Sequence, residues 1–256
     1  MITEYPLTKS HRIILARAFV NVPRVDMSIQ CVVEGQMGSA TVDSIDKPTV
    51  FKIEVGPFIY FAGNVKSPAG KAMLKTIAPY TLFMPSSPGW IEAARKMYGD
   101  KLVELERYSF SQNHLSIEHL EELIRKSIWK KVKPMDLSFA RKLWGKVHFI
   151  ELSDFDSPED FVKRGIGYYL EQDNRILGAA YSSLVCSMGI EVSIFVREDY
   201  RRQGIATTLA SHLLLWCLNN HTLASWDTAN HESCKLALKM GYTYTRTYKA
   251  YYLKPE

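Results

Sequence analysis

The sequence predicts a mixed α/β (α+β) protein: a mixed central sheet with helices on both faces, preceded by a smaller α+β domain. Three observations predict it. The second half of the chain runs hairpin, strand, helix, strand, helix, strand, an order that layers helices on a sheet. In the first part, β-branched and aromatic runs bounded by Gly, Pro and Asn alternate with helical spacing. The chain has 256 residues, 46% hydrophobic and 23% charged, enough for one large core or two small ones.

Residues 9–20 set Ile13, Ile14, Ala16 and Phe19 against Lys9, Arg12 and Arg17, the spacing of an amphipathic helix. "IQCVVEG" (29–35), "TVFKIEVGPFIYFAG" (49–63) and "YTLFMP" (80–85) read as strands. "SSPGWIEAARKMYG" (86–99) reads as a helix with serine caps and a glycine stop, and "KLVELERYSFS" (101–111) as a closing strand. "SIEHLEELIRKSIWKKV" (116–132) puts Leu120, Leu123, Ile124 and Ile128 on one face. Its capping pattern at Ser116 and His119 lacks the usual acid.

Short helices are expected at 138–145 and 157–165, the second with Ser157 as N-cap and Pro158 at the first helical position. Residues 167–185 form two strands around the turn Asp173-Asn174. Then follow a strand (190–196), a helix (about 204–219), a strand (223–230), a helix (232–240) and terminal strands (242–253). The expected division is an N-terminal domain 1–112, a helical bridge 113–126 and a second domain 127–256. "MPSSPGWIEAARKMYGDKLVELERYSF" and "WDTANHESCKLALKMGYTYTRTYKAYY" share an order of elements. The first half is therefore either a degenerate copy of part of the second or an unrelated strand–helix–strand unit.

Charge and composition exclude several classes. A net charge of +5, from 32 basic and 27 acidic residues, is too mild for a nucleic-acid surface. No apolar run reaches the ~18 residues of a membrane span. The N-terminus "MITEYPLTKSHRIILARAFVN" reads as an amphipathic helix rather than a signal peptide, so a cytoplasmic location is expected. Cys31, Cys186, Cys217 and Cys234 show no CxxC spacing, which predicts reduced thiols and no metal site.

The chemistry is expected at "EDYRRQGIATTLASHLLL" (198–215). A helix N-terminus carries free N–H groups and a partial positive charge, and accepts phosphate. Arg201 and Arg202 add charged donors, Gly204 lets the main chain approach an anion closely, Ala206 stays small and Thr207 adds a hydroxyl. A surface turn whose arginines merely solvate a helix start is the other reading. The stretch lacks the G-K-[ST] and G-x-G-x-x-G of nucleotide folds, which argues against ATP and NAD.

Arg201-Arg202-Gln203-Gly204-Ile205-Ala206 resembles the [QR]-x-x-G-x-[GA] signature of the GNAT (GCN5-related) N-acetyltransferases. Asn230-His231-Glu232-Ser233 opens the next helix at the expected place, and Lys239-Met240-Gly241-Tyr242 is similar to the family's K-x-G-[FY]. The resemblance covers about residues 127–256. With "SWDTANHES" it looks most like the branch that includes the zwittermicin A resistance acetyltransferase.

The resemblance implies acetyl-CoA as co-substrate. Pantetheine is expected against main-chain groups of Phe195, Val196 and Arg197, and pyrophosphate on the amides from Arg202 through Gln203, Gly204, Ile205 and Ala206 to Thr207, with Arg201 alongside. Asn230 and Ser233 form the opposite lip.

Acetyl transfer to an amine of pKa near ~10.4 needs a base to reach the neutral nucleophile. Glu191 is the first candidate, on the face opposite Ile190, Val192, Ile194 and Val196; a structural ion pair is its other reading. Asp227 is the second candidate, and His231 could act through water. The chain departs from the family twice: many members place the glutamate where Ile190 stands, and a proton-donating tyrosine where Ala237 stands. Cys234, Tyr242 or solvent are the alternatives for that donor. Trp226, Tyr244, Tyr248, Tyr251 and Tyr252 either line the acceptor end or pack in the sheet.

The expected activity is N-acetylation of a primary amine on a small molecule such as an amine-bearing antibiotic, by direct attack in a ternary complex. A non-catalytic acyl-CoA sensor and an enzyme acting on a protein amine are the alternatives. No nucleic-acid or membrane partner is expected, and a homodimer is left open.

Overall fold

The computed structural model describes residues 2–84, 86–145 and 149–255. It forms two compact units, Met1–Arg107 with Thr247–Glu256, and Tyr108–Arg246. The expected divisions at 112 and 126 were drawn along the chain. The compact units instead place the last ten residues with the first unit and the bridge helix inside the second.

The first unit contains β1 (Thr3–Glu4), α1 (Lys9–Ala18), α2 (Ser28–Val33), β2 (Ser39–Val42), β3 (Val50–Val55), β4 (Phe58–Gly63), α3 (Pro68–Leu74), β5 (Leu82–Phe83), α4 (Pro88–Tyr98) and the start of β6 (Leu102–Ser111). Strands β1 to β5 lie in chain order, antiparallel except β4 with β5, and Tyr251 of the last strand pairs with Phe83. Phe61 stacks on Trp90 at 4.7 Å between ring centres, with Phe83 edge-on at 5.1 Å. These rings join Met73, Leu74 and Ala94 in one core, which seats α3 and α4 on this sheet.

Residues 29–35, expected as a strand, instead form α2. The β-branched run misled because Ile29 and Val32, three apart, are both fully buried, and a helix brings such a pair to one face. Asp26 Oδ1 accepts the Ser28 N–H at 2.8 Å and stops extended chain there. Helix α3 and strand β2 were not expected; α3 has only seven residues, too few to show a period. Pro85, the end of the expected strand 80–85, lies outside the described residues.

The second unit takes over β6 at Tyr108. It continues with α5 (Ile117–Lys126), β7 (Lys133–Pro134), α6 (Leu137–Leu143), α7 (Pro158–Arg164), β8 (Gly167–Gln172), β9 (Arg175–Cys186), β10 (Gly189–Val196), α8 (Ile205–Asn219), β11 (Leu223–Thr228), α9 (His231–Met240) and the start of β12 (Thr243–Leu253). Its strand order is β6-β11-β10-β9-β8-β7, with β10 and β11 parallel and the rest antiparallel.

Leu209, Leu213 and Leu214 of α8 join Leu120 of α5, Ala237 and Met240 of α9 and the inward residues of β8–β11 in one core. Each buried Leu or Met side chain among them contributes roughly 1.5–3 kcal/mol. On the opposite face Phe139 of α6 stacks on Tyr169 of β8 at 3.7 Å. Helices therefore cover both faces of a mixed sheet, as the sequence predicts.

Local chemistry sets the ends of these elements. Ser157 accepts Asp160 N–H at 3.1 Å, and Ser116 accepts His119 N–H at 3.3 Å. Asp173 and Asn174 both adopt positive φ, the conformation of a tight hairpin turn. Helix α5 ends at Lys126 rather than 132, because Ser127 turns extended and bonds its hydroxyl to that of Thr208 at 2.6 Å.

Candidate functional site

The parallel ladder between β10 and β11 holds for three residue pairs only, Gly189–Leu223, Ile190–Ala224 and Glu191–Ser225. Beyond them β10 runs on to Val196, still paired on its other edge to β9. The main chain from Val192 to Val196 thus turns one edge away from any ladder partner in this unit. Phe195 and Val196 are half-buried on that stretch, and Arg197 follows, its amide bonded to Leu177 O at 2.8 Å. The Arg197 Nε is buried without a hydrogen-bond partner. Gly178 is what lets β9 lie so close: a Cβ there would stand 2.8 Å from Phe195 O and 3.0 Å from Ile205.

Helix α8 starts beside this open edge. Gly204 is its N-cap at φ 83°, in the left-handed region that favours glycine. A Cβ there would meet no heavy atom within 4 Å, so packing does not require the glycine and the space beside it is open. The first intrahelical bond at this tip runs from Thr208 N–H to Gly204 O at 3.0 Å, which leaves the amides of Ile205, Ala206 and Thr207 ahead of it.

Arg202 also takes positive φ, 61°, at a cost of about 1–2 kcal/mol for an L-residue. Arg201 Nε donates to Val196 O at 3.3 Å, and Gln203 Nε2 to Asp199 O at 3.2 Å.

A cavity of about 640 Å³ opens between this tip, the end of β10 and α9. Arg201, Arg202, Gly204, Ile205, Ala206 and Thr207 line it from one side, Asn230 and Ser233 from the other. Lys235 and Lys239 add two further cations, set against the single acid Glu232. The free amides, the helix dipole and four cationic side chains make a donor set suited to a polyphosphate.

Glu191 is 5% exposed and stands on the sheet face opposite Ile190 and Val192, which lie in the α8 core. Its Oε1 accepts the N–H of Asp227 at 3.1 Å, where the β10–β11 ladder has ended. Asp227 is half-buried on β11, paired on its far side with Ser109 of β6. The two candidate bases therefore stand together. Ile190, where the family resemblance implies a glutamate, is a core residue at 2% exposure.

The proton-donor positions divide. Ala237 is fully buried in the core, so no side chain there faces the cavity. Tyr242 is also buried and donates to Ala224 O at 2.7 Å. Burial, with smaller contributions from Cys217 and Glu191, holds its hydroxyl well above the usual phenol range. Cys234 Sγ lies 3.0 Å from Thr228 Oγ1. Asn230 accepts Ser233 N–H at 2.9 Å, and Ser233 Oγ accepts Trp226 Nε1–H at 3.2 Å, so both lip residues also build the start of α9.

Of the aromatics named for the acceptor end, Trp226 is core and packs edge-on to Tyr242. Tyr244 is 48% exposed in the second unit; Tyr248, Tyr251 and Tyr252 belong to the first.

Sequence reasoning missed Trp129, whose Nε1–H donates to Gln203 O at 2.7 Å and holds the arginine turn from the far side. It was read as part of a longer α5. Lys235 and Lys239 were also missed; their i, i+4 spacing, which continues from His231 on one face of α9, was the available signal. Among the described residues no group of three or more His, Cys, Asp or Glu could hold a metal ion, and no helix is long and apolar enough to cross a membrane.

The profile of the family described as GNAT acetyltransferase matches residues 18–251. The chain is 25% identical over 181 residues to the uncharacterized N-acetyltransferase YdfB of Bacillus subtilis (strain 168), spanning 70% of this chain and 68% of that protein. It is similar to the crystal structure of a GCN5-related N-acetyltransferase-like protein from Streptococcus suis 89/1591, with a TM-score of 0.84 and 26% identity over 95% of this chain and 98% of that one. An acetyltransferase from Colwellia psychrerythraea shares the fold at a TM-score of 0.57 and 9% identity, covering 99% of this chain and 100% of that one.

Proposed function

This chain belongs to the GNAT acetyltransferase family, and from that premise we propose that it moves an acetyl group from acetyl-CoA to a primary amine of a small molecule, by direct attack in a ternary complex. One observation carries the reading. A strand edge without a ladder partner leads directly into a glycine-capped, cation-ringed helix tip with open space beside Gly204.

Acetyl-CoA supplies the acyl group already activated as a thioester. The amides of Ile205, Ala206 and Thr207, with Arg201 and Arg202, hold its pyrophosphate. Phe195, Val196 and Arg197 offer main-chain groups along the open edge to the pantetheine arm, with Asn230 and Ser233 on the other lip.

Glu191 takes the proton that the acceptor ammonium must lose, a step that costs roughly 4–5 kcal/mol near neutral pH without a base. Its bond to Asp227 N–H fixes the carboxylate against rotation. Asp227 positions that amide and stands as the second candidate. With Ala237 in the core, the departing thiolate is left to solvent, tolerable for a group of pKa near ~8.5.

The resemblance to the zwittermicin A resistance branch suggests a polyamino acceptor of the antibiotic kind. The test is thiol release from acetyl-CoA with a panel of small amines, peptides and aminoglycosides, the product followed by mass. Turnover with small amines supports the reading. Turnover with peptides alone moves the acceptor to protein, and coenzyme binding without turnover on any amine overturns it.

A further inference from the structure

Helix α9 forms one wall of the cavity beside Gly204 along nearly its whole length. Glu232, Lys235, Leu236 and Lys239 line that cavity at the i, i+3, i+4, i+7 spacing of a single helix face, with Asn230 and Ser233 at the N-terminal end. From Asn230 to Lys239 the wall runs about 13 Å. Its first turn presents an amide and a hydroxyl; its second half presents two ammonium groups.

The cationic end is held in place. Lys239 O accepts His119 Nε2–H of α5 at 2.8 Å, and Gly241 closes α9 at φ 103°, the left-handed cap that favours glycine. Lys239 Nζ donates to Thr207 Oγ1 at 3.3 Å, so this ammonium reaches from α9 to the tip of α8. Lys235 Nζ stands 3.5 Å from Glu232 Oε1. Both side chains of that pair are exposed, and such a pair contributes little and yields to a stronger anion.

This inference rests on the acetyl-transfer reading, in which Arg201, Arg202 and the amides of Ile205, Ala206 and Thr207 hold a diphosphate. Two guanidinium groups already match the two charges of a diphosphate diester. Lys235 and Lys239 are in excess of that need, and Glu232 offsets only one of them. Coenzyme A carries one further anion, the phosphomonoester on its ribose 3′ oxygen, with about −1.5 to −2 charges near neutral pH. The pantetheine arm takes the open edge of β10 and the Asn230–Ser233 lip, so the adenosine end leaves past the other end of the α9 wall. A compact ammonium on a flexible stem suits a terminal phosphate there.

We propose that Lys235 and Lys239 form the subsite for the 3′-phosphate of the coenzyme, and that they make this protein select CoA over the otherwise identical 3′-dephospho-CoA. On binding, Lys235 exchanges the Glu232 carboxylate for a phosphate oxygen. Lys239 turns from Thr207 to the same phosphate, which frees the Thr207 hydroxyl for the diphosphate.

The experiment is calorimetric titration of the whole protein with CoA and with 3′-dephospho-CoA, on the wild type, Lys235→Gln, Lys239→Gln and the double variant. The wild type is expected to bind CoA about tenfold or more tightly than dephospho-CoA, the worth of a charge-assisted bond. Each single variant should lose part of that preference. In the double variant the two ligands should bind within about twofold of each other, with dephospho-CoA held as tightly as by the wild type. Lys239→Arg, which keeps the charge, should retain most of the preference.

Equal affinity of the wild type for the two ligands would overturn the proposal. So would parallel weakening of both ligands in the glutamine variants, which would assign the lysines to the diphosphate. Both results leave the acetyl-transfer reading standing, because CoA still binds. Should a variant not fold, the wild-type comparison of the two ligands decides. Binding of neither ligand by folded wild-type protein would overturn the acetyl-transfer reading and this subsite with it.

Discussion

Glu191 Oε1 accepts the amide proton of Asp227 at 3.1 Å, two residues past Ser225, the partner of Glu191 in the last ladder pair that joins their two strands. A side chain takes over where main-chain pairing stops, so the carboxylate proposed as the base also terminates the seam between β10 and β11. Substitution can separate those two roles. Glu191→Gln keeps a carbonyl oxygen for the Asp227 N–H but cannot take a proton. Its turnover is expected to fall by about 10²–10⁴ with the acid limb of the rate profile lost, while stability stays near wild type. Glu191→Ala should lose turnover and about 1–3 kcal/mol of stability, because a buried N–H is left without an acceptor. Rate–pH profiles and urea unfolding of both variants check this, and an unchanged acid limb in Glu191→Gln removes Glu191 as the base.

Gly204 sits at φ 83° with open space where a side chain would be. Gly204→Ala should cost about 1 kcal/mol in backbone strain and reduce CoA affinity by about tenfold or more. Gly204→Glu should abolish binding by setting a carboxylate among the amides. Calorimetry with CoA reads both effects, and wild-type affinity in either variant would count against this pocket.

Trp129 holds Gln203 O at 2.7 Å through its indole N–H. Trp129→Phe keeps most of the ring and removes the donor. Stability should drop by about 0.5–1.5 kcal/mol, and CoA should dissociate faster as the arginine turn loosens. Stopped-flow release of a fluorescent CoA analogue measures it; an unchanged release rate would show that the turn is held by other contacts.

The four thiols should separate by burial. Cys31, Cys186 and Cys217 are buried and Cys234 is half-buried. Burial pushes the Cys217 thiol up to about 12, so it stays protonated and unreactive at neutral pH. Timed alkylation with mass analysis should find Cys234 modified first and Cys217 only on unfolding. Early labelling of Cys217 in folded protein would contradict the packing of α8.

Asp160 is paired with Arg164 at 2.5 Å, and that guanidinium holds its carboxyl below the usual aspartate range. A folded-state pKa below the unfolded value stabilises the fold above the unfolded pKa of about 3.9, and the contribution is lost as pH falls through the folded value. Arg164→Ala should cost about 1 kcal/mol at neutral pH and flatten the fall in stability below about pH 4. Thermal melts from neutral to acid pH test it, and parallel curves for the two proteins would show that the pair contributes nothing.

Much of this protein was determined by its sequence alone, because the signals act over a few residues. Ser157 before Pro158, the Asp173-Asn174 turn and the arginine-glycine run before α8 each fix local backbone by hydrogen bonds or φ preference close by. The two-residue period likewise places Glu191 opposite Ile190 and Val192 before any contact is known. Only the tertiary structure decided that β10 and β11 pair for three residues, that Glu191 meets an amide thirty-six positions away, that Trp129 clasps Gln203 and that Ala237 lies in the core. It also made a helix of Ser28–Val33, where β-branched composition pointed to a strand. The physical reason is the same in each case. Strand register, burial and hydrogen bonds between distant segments depend on which surfaces meet, and short-range periodicity carries no information about that.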